Sequence, residues 1–311
     1  MSAENPLTHP WLIAVWPGMG HVAISAGYYL MSKLGMELFA EISASDLFDV
    51  EYVEVQQGVL QAGRLPRSRF FLWRDPGKQH DLIVFVGEAQ PPLGKYGFCQ
   101  RLAELGKSWG VERVFTFAAM ATQMNPSDDA RVFCAATSHE LLDSIQCPEW
   151  QLLEEGRIGG LNGVLLAAVA EAGLDGACLL GEMPHIFAQL PFPKASLAVL
   201  RAFSKISRLT LNLTELQEQA EAVSEKLGEL LSQMEEKLGQ QHAVSRDEPE
   251  SEFGEFEEEE RLSASDQKRI EFLFSQAVSD RSKAYELKQE LDRLGIFAEY
   301  EDRFLDLFKK Q

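Results

Sequence analysis

Two glutamates occur in similar sequence settings, and their carboxylates could perform acid–base chemistry. Glu88 follows the apolar run DLIVFV and Glu182 follows the apolar run ACLL, each directly after a glycine and shortly before a proline. A strand in that position would deliver the side chain to the end of a sheet, where α/β proteins usually place their sites. Two carboxylates act together as acid and base only a few ångströms apart, and residue spacing leaves their separation open. Glu88 could equally accept hydrogen bonds from backbone N–H groups of the neighbouring turn.

Two glycine-rich segments are the second kind of candidate. The segment WPGMG contains Gly18 and Gly20 between an apolar run and a predicted helix, and GGLNG contains Gly160, Asn162 and Gly163 just before another predicted helix. Backbone N–H groups at the start of a helix can bind an anion. WPGMG has neither the GxGxxG pattern nor the lysine of a phosphate-binding loop, so a tight structural turn is favoured over ligand binding there. For GGLNG, helix entry and close packing are favoured, although Asn162 could hydrogen-bond the loop or a ligand.

Three further residues belong to the motifs of the two glutamates. Gln90 and Pro91 follow Glu88 in GEAQPP, and Gly181 precedes Glu182 in LLGEMP. The prolines of GEAQPP stiffen the turn and prevent a helix from starting at once. The sequence contains no zinc signature, no nucleophile elbow and no Ser/His/Asp arrangement that spacing would reveal. We therefore expect no metal and no cofactor, and we assign no catalytic residue.

The composition is that of a globular and strongly acidic chain. Its 311 residues are 45% hydrophobic and 25% charged, with a formal net charge of −19. Nucleic acid and anionic membranes attract basic proteins, so neither is expected as a partner. None of the four cysteines lies in a CxxC pair, which favours reduced thiols. The apolar run at 11–16 is too short for a signal sequence or a membrane span, so a cytoplasmic protein is expected.

Apolar strands alternate with helices along the first two thirds of the sequence. The predicted strands are 11–16, 38–42, 81–86, 114–119, 132–136 and 176–180. The predicted helices are 21–34, 95–110, 161–172 and 194–206. Residues 53–61 and 69–73 alternate more and are predicted to pair as strands. This order predicts an α/β fold over residues 1–212, in which a three-layer α/β/α sandwich covers both faces of its sheet.

The rest of the chain is more acidic and has a different period. The residues after 212 hold 26 acids and 13 bases, against 22 and 16 in residues 1–212. A heptad-like apolar seam predicts a coiled-coil-like helix over 213–241, which should pack on the domain or on a partner helix. Its candidate partner-binding residues are Leu216, Val223, Leu227, Leu230 and Met234.

Two segments complete the predicted organisation. Residues 242–262 are rich in acids and are predicted to form a flexible linker, because they cannot bury enough apolar surface to fold alone. Residues 263–311 are predicted to form a helical C-terminal segment. Within it we expect one long helix over 265–294 and a short aromatic helix over 297–308.

Taken together, WPGMG, GEAQPP, IGGLNG and LLGEMP resemble, in that order, the family of the second proteasome assembly chaperone and its bacterial and archaeal relatives. The similarity spans roughly residues 11–220. It implies a nucleoside phosphorylase-like α/β/α fold, chaperone work through protein surfaces, and oligomers. The residues that the resemblance marks as a candidate ligand or family-motif cluster are Gly18, Gly20, Glu88, Gln90, Pro91, Gly160, Asn162, Gly163, Gly181 and Glu182.

The sequence departs from properties associated with this family in two ways. Some relatives are labelled ATP-grasp or carboxylate–amine ligase-like, but this sequence shows no phosphate loop and no evident set of magnesium ligands. Archaeal relatives that dock on proteasome rings share a hydrophobic-Tyr-X end, whereas this sequence ends LFKKQ. The resemblance therefore does not extend to that docking mode.

Three functional hypotheses follow. The first is a protein-binding scaffold or assembly-chaperone-like protein that forms homo-oligomers, with a protein partner that the sequence does not name. The second is a small-molecule-binding enzyme, ligase- or hydrolase-like, with a pocket at the carboxyl ends of the strands. The third is a purely structural protein whose tail drives oligomerisation. We favour the first, because the sequence supplies exposed apolar stripes but no complete catalytic constellation.

Overall fold

The computed structural model describes residues 6–43, 47–49, 53–56, 58–61, 65–243 and 263–309. Its strands are β1 (Trp11–Val15), β2 (Glu37–Ile42), β3 (Glu54–Gln56), β4 (Val59–Gln61), β5 (Ser68–Trp73), β6 (Leu82–Gly87), β7 (Arg113–Thr122), β8 (Val132–Ala136), β9 (Gln151–Leu152) and β10 (Asp175–Pro184). Its helices are α1 (Val22–Leu34), α2 (Lys95–Ser108), α3 (His139–Ser144), α4 (Gly160–Glu171), α5 (Pro193–Ser207), α6 (Thr214–Ala243), α7 (Ala264–Ser279), α8 (Ala284–Arg293) and α9 (Phe297–Asp306).

Eight strands form one mixed sheet in the order β2-β5-β6-β1-β7-β10-β8-β9. The central strands β6, β1, β7 and β10 run parallel to one another. On one side β5 and β2 add in antiparallel fashion, and on the other β8 is antiparallel to β10. Strand β1 has a neighbour on each side and is buried along its whole length, which explains why its sequence, WLIAV, is continuously apolar.

Helices cover both faces of this sheet, as the predicted three-layer α/β/α fold requires. Alternate residues of β1 point to opposite faces. Leu12 packs with Phe98 of α2 and Leu165 of α4 in one hydrophobic cluster. Ile13 packs in a separate cluster that includes Leu200 of α5 and residues of α1. The predicted α/β/α fold class is therefore confirmed.

The C-terminal helices pack against the α/β/α domain and share its core. Helix α6 lies along α5, and α8 contacts α1. Leu216, Tyr285, Leu291 and Phe304 belong to the same buried cluster as the residues of α1 and α5. The predicted helical extension is therefore present, and its described part forms a continuous hydrophobic core with the sheet and helices before it.

Three predicted elements differ from the structure. Residues 53–61 do not pair with 69–73; they fold into the β3–β4 hairpin, in which Gly58 adopts a φ of +80°. Strand β5 instead lies between β2 and β6 in the large sheet. The single helix predicted over 265–294 is two helices, because Asp280 is extended and its carboxylate accepts the N–H of Ser282.

The third difference concerns the motif LLGEMP, which was expected to follow a strand. It lies inside β10, because the pairing of β10 with the ten-residue β7 continues to Pro184 and Thr122. The linker predicted over 242–262 falls outside the described residues from 244 onward. Within the ranges that the structure covers, we found no helix with both the length and the apolar character needed to cross a bilayer.

Candidate functional site

The topology gathers most of the sequence motifs at one edge of the sheet. Strands β1, β6, β7 and β10 are parallel, so their carboxyl ends lie on the same side, which we call the carboxyl edge. The antiparallel neighbours reach this edge as well, because Ser68 at the start of β5 pairs with Gly87 and with Ile42 at the end of β2. Open α/β sheets usually place their sites at such an edge.

Gln90 connects three of the motifs at the carboxyl edge. Its Nε2 donates to the carbonyl oxygen of Pro17 at 3.2 Å, and its Oε1 accepts the N–H of Leu161 at 3.2 Å. Gly160 has a φ of +66°, and a Cβ atom there would lie 2.9 Å from Gln90 Oε1. The glutamine side chain thus satisfies an N–H at the start of α4 that an anionic ligand would otherwise use.

Other motif glycines lie in close contact with neighbouring parts of the chain. The N–H of Gly20 donates to Ala188, and its carbonyl accepts from Phe192, both at 2.9 Å. A Cβ at Gly163 would lie 2.1 Å from the carbonyl oxygen of Ile158. These contacts support the turn-and-packing interpretation of the glycine motifs.

Four further motif residues differ in their surroundings. A Cβ at Gly181 would lie 2.7 Å from the carbonyl oxygen of Ala195, whereas Gly18 has nothing within 4 Å. Pro91 is buried in the turn after Gln90. Asn162 lies in the first turn of α4, and its buried Oδ1 atom has no hydrogen-bond partner among the described residues.

Glu88 is held in an ion-pair cluster. Its Oε1 binds Nη2 of Arg69 at 2.9 Å, and its Oε2 accepts the N–H of Arg67 at 2.9 Å. Arg69 is only 1% exposed, and its Nη2 also binds the carboxylate of Asp302 on α9. The carboxylate of Glu88 therefore neutralises the charge of a buried guanidinium, which is a structural role.

Tyr28 connects α1 to α9 at Glu301, the residue before Asp302. Its hydroxyl donates to Glu301 Oε1 at 2.5 Å. Burial, together with the nearby Glu301 carboxylate, raises the pKa of this tyrosine well above its ordinary value. The hydroxyl therefore stays protonated at neutral pH and serves as a hydrogen-bond donor to α9.

Glu182 is buried and fully engaged by a different arginine. Arg131 donates from Nε to Oε2 at 2.7 Å and from Nη2 to Oε1 at 2.5 Å, while Thr122 donates to Oε1 at 2.8 Å. The hydrogen bonds from Arg131 are the main reason that the pKa of Glu182 is lowered. A general acid at neutral pH needs a raised pKa, so this carboxylate is not adapted to that role.

The two glutamates do not form a pair. Strands β6 and β10 are separated by β1 and β7 in the sheet. At a spacing of about 4.8 Å between neighbouring strands, the backbones that carry Glu88 and Glu182 lie about 14 Å apart. Both side chains lie at the carboxyl edge, but the two strands between them place the carboxylates too far apart to act as one acid–base pair.

Several exposed apolar side chains surround the glycine turns of the carboxyl edge, and we call them the apolar rim. Leu93 is 79% exposed and Met19 is 46% exposed. The rim consists of Met19, Leu93, Tyr96, Ile186 and Leu190. Its segments are tied together by the bonds from Gln90 to Pro17 and from Gly20 to Ala188. Sequence reasoning missed the rim because exposure of an isolated apolar residue leaves no periodic signal.

The predicted seam of α6 is covered along only part of its length. Leu216 and Leu227 are buried in the core of the chain itself, and Val223 is half-buried. Further along the helix, Leu230 and Met234 are 41% and 44% exposed. A partner that meets the fold as it stands can contact Leu230 and Met234 but not Leu216 or Leu227.

Thiols and potential metal ligands give no sign of a reactive centre in the described ranges. Burial raises the pKa of the Cys99, Cys134 and Cys178 thiols to about 12. Among the residues that the structure covers, no three His, Cys, Asp or Glu side chains lie close enough together to hold a metal ion.

Together, the mixed eight-stranded sheet and the helical layers on its two faces define a three-layer α/β/α protein with glycine turns at one edge of the sheet. The PAC2 family model matches residues 12–231, more than half of the chain, and the chain belongs to the PAC2 family.

Sequence relatives and solved structures agree with this assignment. An uncharacterized protein of Methanocaldococcus jannaschii is 28% identical over 239 residues, which cover 75% of this chain and 87% of the relative. The crystal structure of Pyrococcus furiosus PbaB, an archaeal proteasome activator, is similar with a TM-score of 0.62 and 25% identity, covering 74% of this chain and 97% of PbaB. A Mycobacterium tuberculosis proteasome-assembly chaperone homologue is similar in fold, with a TM-score of 0.61, 23% identity and coverages of 70% and 94%.

Proposed function

We propose that this chain is a protein-binding, assembly-chaperone-like scaffold that receives its partner on the carboxyl edge. The observation that carries the proposal is the apolar rim, whose five side chains are each 41–79% exposed on segments joined by hydrogen bonds. A cluster of exposed apolar side chains at one edge is typical of a surface that another protein covers. The rim is also held in place, so it offers a partner a preformed surface.

The state of the two glutamates supports a binding role over an enzymatic one. Glu88 compensates the buried Arg69, and Glu182 is held by Arg131 and Thr122. Both candidate acid–base groups are thus committed to ion pairs within the chain. The alternative of a ligase- or hydrolase-like enzyme at the carboxyl edge loses its main chemical support.

The relatives suggest what kind of partner to expect. PbaB is described as a proteasome activator, and Pyrococcus furiosus PbaA, which is similar to this chain with a TM-score of 0.57 and 24% identity, as a homologue of a proteasome-assembly chaperone. By analogy we propose a protein partner in the cytoplasm and a homo-oligomeric state. The net charge of −19 makes nucleic acid and anionic membranes unfavourable alternatives.

A second contact surface is proposed at the uncovered end of the α6 seam. Leu230 and Met234 continue the stripe that Leu216 and Leu227 bury against the domain. A helix from a partner could extend the same packing by inserting side chains between these residues.

Partner capture with matched variants tests the proposal. Full-length wild-type protein, Leu93→Glu and Ile186→Glu are used as baits in extract of the native cells, with cross-linking and quantitative mass spectrometry. The control is Val278→Glu, which adds the same charge at a residue that is 55% exposed. Val278 lies near the opposite edge, because Arg281 in the next turn donates to the carbonyl oxygen of Met36, just before β2 begins.

The two rim variants should lose the same partner by about tenfold or more, because a charge would be buried against an apolar contact. The Val278 variant should retain that partner, and cross-links to it should lie near the rim. A partner that is retained equally by all three variants, or that cross-links elsewhere, would refute the rim as the docking surface.

A further inference from the structure

Gln90 lies between the two halves of the apolar rim. One half, around Leu93, follows Gln90 directly in the chain. The other half begins at Met19 in the turn after β1, and the hydrogen bond from the N–H of Gly20 to Ala188 ties that turn to the rim residues that follow β10. Strands β1 and β6 are parallel neighbours, so the segments that carry the two halves leave the carboxyl edge side by side.

The side-chain amide of Gln90 supplies the two kinds of hydrogen bond that this junction needs. Its Nε2 donates to the carbonyl oxygen of Pro17, two residues before Met19, and its Oε1 accepts the N–H of Leu161 at the start of α4. A planar amide carries a donor and an acceptor on one group. A carboxylate of the same length offers acceptors alone, and a thioether of similar length offers no donor. The chemistry of the junction is therefore specific to an amide among side chains of this size.

The two ends of this contact differ in how firmly the rest of the fold holds them. Leu161 is fully buried in the hydrophobic cluster of α2 and α4. Pro17, Gly18 and Met19 are exposed, and a Cβ atom at Gly18 would meet nothing within 4 Å. Exposed turns with few contacts open more readily than segments in the core. The amide of Gln90 therefore connects a loosely packed turn to a firmly packed helix start.

We propose that Gln90 is a positioning residue of the apolar rim. Its amide couples the turn of Met19 to the segment of Leu93 and to the start of α4, so that a partner meets both halves of the rim in one arrangement. A surface that is ordered before binding loses less conformational freedom when a partner covers it. The inference rests on the proposed function for the role of the rim, but the coupling itself is a property of the free chain and is measured without a partner.

Hydrogen–deuterium exchange of the full-length protein, read by mass spectrometry at neutral pH, tests the coupling. Gln90→Glu keeps the acceptor and removes the donor, so peptides that cover residues 18–21 should exchange about fivefold faster or more than in the wild type. The start of α4 should not exchange faster, because the new carboxylate still accepts the N–H of Leu161. Gln90→Met removes both bonds and should accelerate exchange in both segments. Gln100→Glu, at an exposed glutamine of α2, is the control and should accelerate neither.

The pH dependence of the same variants separates positioning from a general loss of structure. When the new carboxyl of Gln90→Glu is protonated, it can again donate to the carbonyl oxygen of Pro17. Its excess exchange at residues 18–21, relative to the wild type at the same pH, should therefore disappear as the pH falls through the pKa of that carboxyl. Gln90→Met has no proton to regain and should keep its excess. Far-UV circular dichroism checks that each variant is folded at each pH.

Unchanged exchange at residues 18–21 in Gln90→Glu, or an excess that stays the same at every pH, would overturn the proposal. With the partner that Leu93→Glu loses, Gln90→Met should bind about threefold more weakly or worse. Binding of that partner by Gln90→Met at wild-type affinity would also overturn it. A failure of the proposed function is recognised separately, because it appears as a partner that Leu93→Glu retains and leaves the exchange of the free chain unaffected.

Discussion

Asp302 on α9 binds the guanidinium of Arg69 in β5, across 233 residues of sequence. The same guanidinium binds Glu88 at the end of β6. The C-terminal helices are thus connected through Arg69 to Glu88, a motif residue of the carboxyl edge. This connection makes the extension part of the structure that holds the candidate site, and it can be tested by removing one charge.

The change Asp302→Asn should lower the free energy of unfolding by about 1–2 kcal/mol, because it removes compensating charge from a buried arginine while Asp302 itself is partly solvated. The control is Asp306→Asn on the same helix, whose pair with Lys309 is solvent-exposed. That change should cost less than about 0.5 kcal/mol. Urea denaturation at neutral pH measures both, and equal effects would contradict a special role for the pair of Asp302 and Arg69.

The pair of Glu182 and Arg131 should make stability depend on pH. The pKa of Glu182 is lowered in the folded state from its ordinary value of 4.5, so the unfolded chain binds more protons in the acid range. The stabilisation is therefore complete above about pH 4.5 and is lost as the pH falls through the lower, folded-state pKa. Arg131→Gln should lower the free energy of unfolding at pH 7, and the loss should shrink as the pH falls through the folded-state pKa of Glu182.

Urea unfolding of wild type and Arg131→Gln at several pH values measures this difference. Arg157→Gln, at an exposed arginine, controls for the loss of a positive charge from an acidic chain. A difference between wild type and Arg131→Gln that stays constant from neutral to acidic pH would show that Glu182 does not titrate in this way.

Gly160→Ala and Gly173→Ala compare two glycines at the two ends of α4. Both have positive φ, +66° and +72°, so alanine is strained at each by about 1 kcal/mol. At Gly160 the new Cβ would also crowd Gln90 Oε1, whereas at Gly173 it would meet nothing within 4 Å. Gly160→Ala should therefore lower the free energy of unfolding by about 1 kcal/mol more than Gly173→Ala. Adding Gln90→Ala should remove that excess in a double-mutant cycle of thermal unfolding. Purely additive effects would mean that the glutamine contact carries no energy.

The α6 seam should divide into a structural part and an exposed part. Leu216→Ala removes a fully buried side chain and should cost about 2–4 kcal/mol of unfolding free energy. Met234→Ala changes a side chain that is 44% exposed and should cost less than about 0.5 kcal/mol. Denaturant titration distinguishes the two. A large loss for Met234→Ala would indicate that this end of the seam is covered as well.

Much of the fold follows from local sequence patterns. The apolar runs of β1 and β6 and the periodic helices α1, α5 and α6 lie where the sequence predicts them. Strand length was harder to predict, because β10 continues through Gly181 and Glu182 only as long as β7 offers it a partner. The break at Asp280 was missed for a similar reason, since its cap depends on local backbone geometry and not on apolar period.

The candidate site was predicted in part. The sequence singled out the glycine and glutamate motifs, and the structure brings three of them, WPGMG, GEAQPP and the start of α4, together through Gln90. It could not indicate that Glu88 and Glu182 belong to separate ion pairs, because strand order in a sheet is not a property of either motif. The sequence also could not indicate that Leu93 is exposed, because exposure depends on which distant residues pack over a side chain.

The sequence by itself determined the order and type of most elements, the three-layer architecture and the family-like motifs. These depend on residue types within a few positions of one another, which one chain displays directly. Only the tertiary structure decided which charges pair, as Arg69 does with Asp302, and which part of the α6 seam is covered. Those outcomes depend on contacts between distant segments, whose energies depend on burial and geometry that exist only after folding.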